Sequence, residues 1–204
     1  MSINTFFFIQ SMVCVTFVLA RDSKGGIGRQ GTLPWVNTAE SRADLKEFKR
    51  LTLGKTVIMG RKTWESLPKK PLPGRTNVVL TTDSSYKALG AHVVCHKEEW
   101  ELDDDCVIIG GAQIYHLYEN HPNIRWIITE IPGDWKCDTF YYLPSKAKLV
   151  STNGNVRVYE SISSRTRTHS GGLATEDSLV QPANTKRAVS SAGTSGSTPS
   201  RMIF

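Results

Sequence analysis

Apolar and polar positions alternate along this chain in two periods. Between Val13 and about residue 162, short runs of branched and aromatic residues are separated by stretches with a helical period. VCVTFVLA opens the series and leads into the loop sequence SKGGIGRQGTLPW. SRADLKEFKRLT then places Ala43, Leu45, Phe48 and Leu51 on one side of a helix, with Ser41 at a position to cap it. KTVIMG, TNVVLTT, AHVVCH, CVIIGG, RWIITEI, KLVS and VRVYESI read as further strands, and KTWESL and AQIYHLYEN as helices. Runs such as VIM, VVL and VII are apolar at consecutive positions, which is the pattern of strands buried on both faces. The prediction is an α/β domain over 12–163: a central, mostly parallel twisted sheet of about eight strands, the last antiparallel, flanked by about four helices.

The N-terminal run TFFFIQSMVCVTFVLA has no charge before Arg21, so export or membrane insertion must be weighed. A secretory signal needs a basic n-region, and MSINT has none. A spanning helix needs ~20 predominantly apolar residues, and Asn4, Gln10, Ser11 and Thr16 interrupt the only window. VCVTFVLA is instead read as a buried strand, leaving 1–11 as an extension of unknown role and Met12 as an alternative start. From Ser164 to Phe204 the chain turns to Ser, Thr, Gly and Ala with no aromatic before Phe204. Such a segment cannot bury enough apolar surface to offset its ordering entropy, and disorder is expected there.

The net charge of +6 divides evenly: five basic residues against two acids give +3 after Ser164, and the domain carries the other +3. That is too mild and unclustered for a nucleic-acid partner, but suits an anionic small molecule. Cys14, Cys95, Cys106 and Cys137 form no CxxC pair and have no histidine at ligand spacing. No metal, no disulfide framework, no membrane association and a reducing, cytoplasmic setting are therefore expected, with the protein a monomer.

Candidate chemistry sits where strands end. VIMGRKTWES takes a buried strand to Gly60, then opens a helix with Arg61, Lys62 and Thr63. CVIIGGAQIY repeats the plan at Gly110-Gly111. Helix N-termini present unpaired N–H groups and partial positive charge, so two such turns favour a phosphate-bearing dinucleotide. Asp44 is an acid on the apolar side of its helix, where charge is costly unless a ligand or partner meets it.

In order along the chain, the apolar strand ending in LAxD, GGIGxxGxLPW, D-L-x-x-F-K, VIMGRKTWESL, PLPGR, NVVLT, VIIGGAQIY, WIITEI and DTF resemble the dihydrofolate reductases over residues 13–162. The resemblance implies NADPH-dependent reduction of 7,8-dihydrofolate to 5,6,7,8-tetrahydrofolate, by hydride transfer to C6 and protonation at N5. That reaction feeds one-carbon and thymidylate synthesis, and antifolates would be ligands. By resemblance, Asp44 hydrogen-bonds the pteridine and Thr129 hydrogen-bonds Asp44, while Leu33 and Trp35 belong to a loop that closes over the site. Val18 and Ile109 would present carbonyls to the pteridine; Leu19, Leu45, Phe48, Leu67 and Leu72 would wall the substrate; Arg75 would pair with the folate α-carboxylate. Ala20, Ile27 and Gly28 would hold the nicotinamide carboxamide, with Tyr115 packed beside the ring. Gly60, Lys62, Thr63 and the turn Gly110, Gly111, Ala112, Gln113, Ile114 would take the pyrophosphate. Arg61, with Leu80, Thr81 and Thr82, would surround the adenosine 2′-phosphate.

The chain departs from that pattern in three places. The link VNTAESRA from Trp35 to the helix is long for bacterial members, which makes Glu40 a rival to Asp44. Only Asp44 is followed by Leu and, one turn later, Phe. The last hairpin, KLVSTNGNVRVYES, is short, and Cys95-His96 stands where a basic residue is frequent. A pyrimidine reductase of riboflavin synthesis and a catalytically idle reductase fold are the rival readings; Asp44 with Phe48 and PLPGR argue against the first, and the acid, Trp35 and Arg75 against the second.

Overall fold

The computed structural model describes residues 14–36 and 38–161; the expectations for 1–11 and 164–204 fall outside them. Eight strands form one sheet: β1 (Val15–Asp22), β3 (Thr56–Gly60), β4 (Thr76–Leu80), β5 (His92–Val94), β6 (Cys106–Gly110), β7 (Ile124–Ile131), β9 (Ala147–Asn153) and β10 (Val156–Ser161). Their order across it is β5-β4-β3-β6-β1-β7-β10-β9. Neighbours from β5 across to β7 pair in parallel, and β10 is antiparallel to both β7 and β9. The sheet predicted from the apolar runs is the one observed.

The interior follows from those runs. Val57, Ile58, Met59, Val78 and Val79 have no exposed surface, so β3 and β4 are buried on both faces. Phe17, Ile108, Tyr115, Trp126 and Tyr141 build the larger core beside them. Trp126 donates its indole N–H to the Tyr141 hydroxyl at 3.1 Å, which satisfies both polar tips inside that core.

Among the described residues there are three α-helices, α1 (Ala39–Thr52), α2 (Arg61–Ser66) and α3 (Ala112–Tyr118), with a single 3-10 turn at Lys97–Glu99. Thr38, not Ser41, caps α1: its side chain accepts the Ser41 N–H at 3.0 Å, and Ser41 lies buried in the first turn. Leu45 is 53% exposed and Ala43 is exposed, whereas Ser41 and Thr52 are the buried residues of the helix. The predicted apolar side of α1 does not lie flat on the sheet. Towards the C-terminal end of α1, a groove of about 480 Å3 involves Leu51 together with Thr16, Val107 and Ile127 of the sheet. None of the described helices is long and apolar enough to cross a membrane.

Besides the 3-10 turn, two strands escaped the sequence reading. β2 (Gly26–Gly28) and β8 (Thr139–Phe140) form a separate antiparallel pair. Asp138 extends it, donating its N–H to the Gly28 carbonyl at 3.1 Å and accepting the Gln30 N–H at 2.8 Å. The glycine-rich loop is thereby laced to the segment after β7.

Candidate active site

The carboxyl ends of β3, β6, β1 and β7 lie side by side, and each carries part of the expected site. The ladder between β1 and β6 stops at Phe17–Ile108, while β1 stays paired with β7 to Asp22–Ile131. Past Phe17, then, the side of β1 towards β6 loses its ladder. The Tyr115 hydroxyl donates to the Val18 carbonyl there at 2.9 Å, using one of its two lone pairs. Backbone groups two residues apart in a strand point the same way, so the N–H and C=O of Ala20 are on that open side too. Burial pushes the Tyr115 phenol far above its ordinary pKa, with Tyr141 and Asp44 adding to the shift, so it acts as a fixed donor.

Asp44 of α1 is partly buried and lies beside the hydroxyl of Thr129 of β7, itself 6% exposed. Burial raises its pKa; the Thr129 hydroxyl pulls it back part of the way, and the Glu47 charge adds to the rise. Glu40, the rival, is exposed in the first turn. The helix therefore turns Asp44 towards the sheet and Glu40 away from it.

Of the other residues expected at the substrate, Leu19 is buried, Phe48, Leu67, Leu72 and Ile109 are partly buried, and Leu33 and Leu45 are exposed. Trp35 is fully buried, and its indole N–H has no hydrogen-bond partner among the described residues. Its ring meets Trp135 edge-on at 6.3 Å.

Arg75 is set by residues that the sequence reading passed over. Thr52 donates its hydroxyl to the Phe48 carbonyl at 2.7 Å and accepts Arg75 Nη1 at 3.0 Å. The guanidinium lies 5.9 Å from the centre of the Phe48 ring. Behind it, buried Asn77 accepts from Leu72 N–H and donates to the Leu72 and Arg75 carbonyls, stitching the PLPGR turn. A Thr one turn after Phe48 and an Asn two after Arg75 were readable, but nothing local marks them as supports.

The two strand-to-helix turns meet. A Cβ added to Gly111 would lie 3.3 Å from Thr63 Oγ1, and one on Gly60 would lie 3.0 Å from Ile114. Both turns use glycine as the cap, Gly60 and Gly111, so no side chain covers the first N–H groups of α2 or α3. The Gly110–Gly111 peptide is cis. Lys62, Thr82 and Gln113 are exposed; Thr63, Thr81 and Ala112 are partly buried. Arg61 pairs with Asp83 at 3.3 Å and Glu65 at 3.8 Å and lies over Tyr86. Leu80 is buried, and Thr81 accepts the Asp83 N–H at 3.2 Å. Ile27 and Gly28 lie in β2, partly buried.

This arrangement defines a class: an α/β sheet protein whose candidate site residues gather at the carboxyl ends of its parallel strands. Within that class, a sequence model described as dihydrofolate reductase matches residues 14–158. The dihydrofolate reductase of Mycobacterium tuberculosis is 43% identical over 108 residues, 52% of this chain and 65% of that protein. That of Neisseria gonorrhoeae is 44% identical over 108 residues, 51% and 64% of the two chains. These matches thus span just under two thirds of the relatives' length. A solved dihydrofolate reductase from Enterococcus faecalis, complexed with NADP(H) and RAB-propyl, superposes with a TM-score of 0.57 at 29% identity, covering 74% of this chain and 95% of its own. The chain belongs to the dihydrofolate reductase family.

Proposed function

We propose that the protein reduces 7,8-dihydrofolate to 5,6,7,8-tetrahydrofolate at the expense of NADPH. The observation that carries this reading is the Asp44–Thr129 pair, an acid held at the edge of an opened sheet where the polar face of its helix would have been cheaper. The hydride acceptor is the C6=N5 bond of the pteridine: C6 receives the hydride, and N5 receives a proton from solvent. NADPH supplies the hydride. The uncapped turns at Gly60 and Gly111, with Lys62 and Thr63, fit its pyrophosphate. Arg61 with Thr81 and Thr82 fits the 2′-phosphate, and the open backbone of Ala20 with Ile27 fits the carboxamide.

Each remaining part is the work of this chain's own side chains and backbone carbonyls. Asp44 accepts the pteridine N3 and 2-amino hydrogens, fixing the ring and favouring its protonated form. Thr129 fixes the carboxylate's direction. Val18 and Ile109 offer carbonyls at the other end of the ring, and Phe48, Leu67 and Leu72 exclude water from its faces. Arg75, aimed by Thr52, pairs with the α-carboxylate. Leu33 and Trp35 close the crevice, and the indole N–H of Trp35 is left to a ligand or an ordered water.

The test is NADPH oxidation with dihydrofolate as acceptor. Purified protein should turn over, and Asp44→Asn should lower kcat/KM about 10²–10⁴-fold with NADPH affinity nearly unchanged. Turnover of the ribosylamino-pyrimidine in place of dihydrofolate would overturn the substrate assignment. NADPH binding without oxidation would make this an idle member of the family.

A further inference from the structure

Asp22 ends β1 and is 1% exposed, the only charged side chain in the buried set among the described residues. The ion pairs of those residues do not include it. Three backbone N–H groups answer its charge instead. Oδ1 accepts the N–H groups of Lys24 at 2.9 Å and Gly26 at 2.8 Å, and Oδ2 accepts the N–H of Trp135 at 3.1 Å. The Cys137 thiol lies beside the carboxylate. A carboxylate has about four acceptor sites, and three of them are taken by these N–H groups.

These groups belong to two segments that are remote in sequence. Lys24 and Gly26 begin the loop that runs to Trp35; Trp135 and Cys137 lie between β7 and β8. Ser23 adds to the same seam, donating both N–H and hydroxyl to the Gly133 carbonyl. Approach is close enough that a Cβ on Gly26 would collide with Cys137. Trp135 is fixed at both ends, by its backbone N–H on Asp22 and its indole N–H on the Pro132 carbonyl at 2.9 Å. Its ring then meets the buried Trp35.

We propose that Asp22 is a positioning residue for the reaction. Its carboxylate fixes Gly26 and Trp135 together, and so sets Ile27 on one side and, through the Trp135 ring, Trp35 on the other. The closing loop is thereby placed before substrate arrives. This rests on the reductase reading of the same site and adds a residue that touches neither substrate nor cofactor.

The experiment compares wild type, Asp22→Asn, Trp135→Leu and the double variant. Asn keeps the shape but accepts through one atom only, and turns an NH₂ group towards at least one N–H donor. Asp22→Asn should lower kcat/KM about tenfold per folded enzyme, chiefly in kcat. Amide exchange should quicken at residues 24–30 and 134–137 while Val57–Met59 of the core stay protected. Trp135→Leu should do likewise, and the double variant should lose no more than the worse single one, since both act through one contact. A purely structural Asp22 would lower the melting temperature and leave both readouts of the folded protein unchanged; kcat/KM within twofold of wild type in both single variants, or losses that multiply, overturns the proposal. Should Asp22→Asn fail to fold, Trp135→Leu decides by the same limits. If wild type does not oxidise NADPH with dihydrofolate, the functional reading falls by itself, and unchanged exchange in the variants then overturns the loop placement as well.

Discussion

Two acids of the candidate site are shifted in opposite directions by their surroundings, and the difference separates the proposed ligand group from the architectural one. Burial raises the pKa of both Asp44 and Asp22, but only Asp22 has enough donors to reverse the shift and finish below its ordinary value. Folding therefore favours the protonated form of Asp44 and the ionised form of Asp22. For Asp44 the folded pKa lies above the unfolded one, so stability is lost as pH rises through that window and stays lost at neutral pH. Asp44→Asn should melt higher than wild type at pH 7, with the gain vanishing below the unfolded value of about 3.9. For Asp22 the sign is reversed: its contribution is present at neutral pH and disappears as pH falls through its lowered pKa. Thermal melts of both Asn variants at pH 7 and in acid check this, and a drop for Asp44→Asn at pH 7 would contradict it. Asp44 was conspicuous in the sequence because an acid broke an apolar side. Asp22 was not, because Trp135 and Cys137 are more than a hundred positions away and nothing near LARDS marks the end of that strand as buried.

At the scale of elements, the strands were readable and the details of α1 were not. VIM, VVL and VII have no polar position to place outside, so only a doubly covered strand accommodates them. β2 and β8 are three and two residues long, too short for any period, and exist because Asp138 and Tyr141 bind the glycine loop. The start of α1 was misplaced because Thr38 and Ser41 are both good caps by composition, and only the turn geometry selects Thr38. Thr38→Ala should cost about 1 kcal/mol, or roughly 2–4 °C in melting temperature for a domain near 150 residues, while Ser41→Ala leaves the cap bond in place. At the other end, Thr52 ties the last turn of α1 to Arg75. Thr52→Val keeps the volume and removes both hydrogen bonds of the hydroxyl. The KM for dihydrofolate should rise several-fold with kcat little changed, since a bond to a non-reacting carboxylate contributes equally to ground and transition states. Steady-state kinetics against a folate analogue lacking the glutamate α-carboxylate supply the control, because there the variant and wild type should agree.

For the molecule as a whole, the proposed site draws on four strand ends and three helices, so a ligand that bridges them would oppose unfolding by mass action. NADPH at a hundred times its dissociation constant should stabilise the native state by about 2.7 kcal/mol, or roughly 5–11 °C at the domain's size. The 2′-phosphate makes the comparison with NADH informative. Arg61 is 41% exposed on its side chain, and its bond to Asp83 is 3.3 Å long. Surface pairs of this kind are worth about 0–1 kcal/mol, so a dianionic phosphate can draw the guanidinium away at little cost. With Cys95-His96 where a basic residue is frequent in the family, the proposed preference for NADPH rests mainly on Arg61. NADH at equal concentration should shift the melt by several degrees less, and Arg61→Gln should bring the two nucleotides together while leaving the smaller NADH shift unchanged. Equal shifts for NADPH and NADH in wild type would remove Arg61 from the 2′-phosphate site, and loss of the NADH shift in Arg61→Gln would show instead that the residue holds up the β3–α2 turn itself.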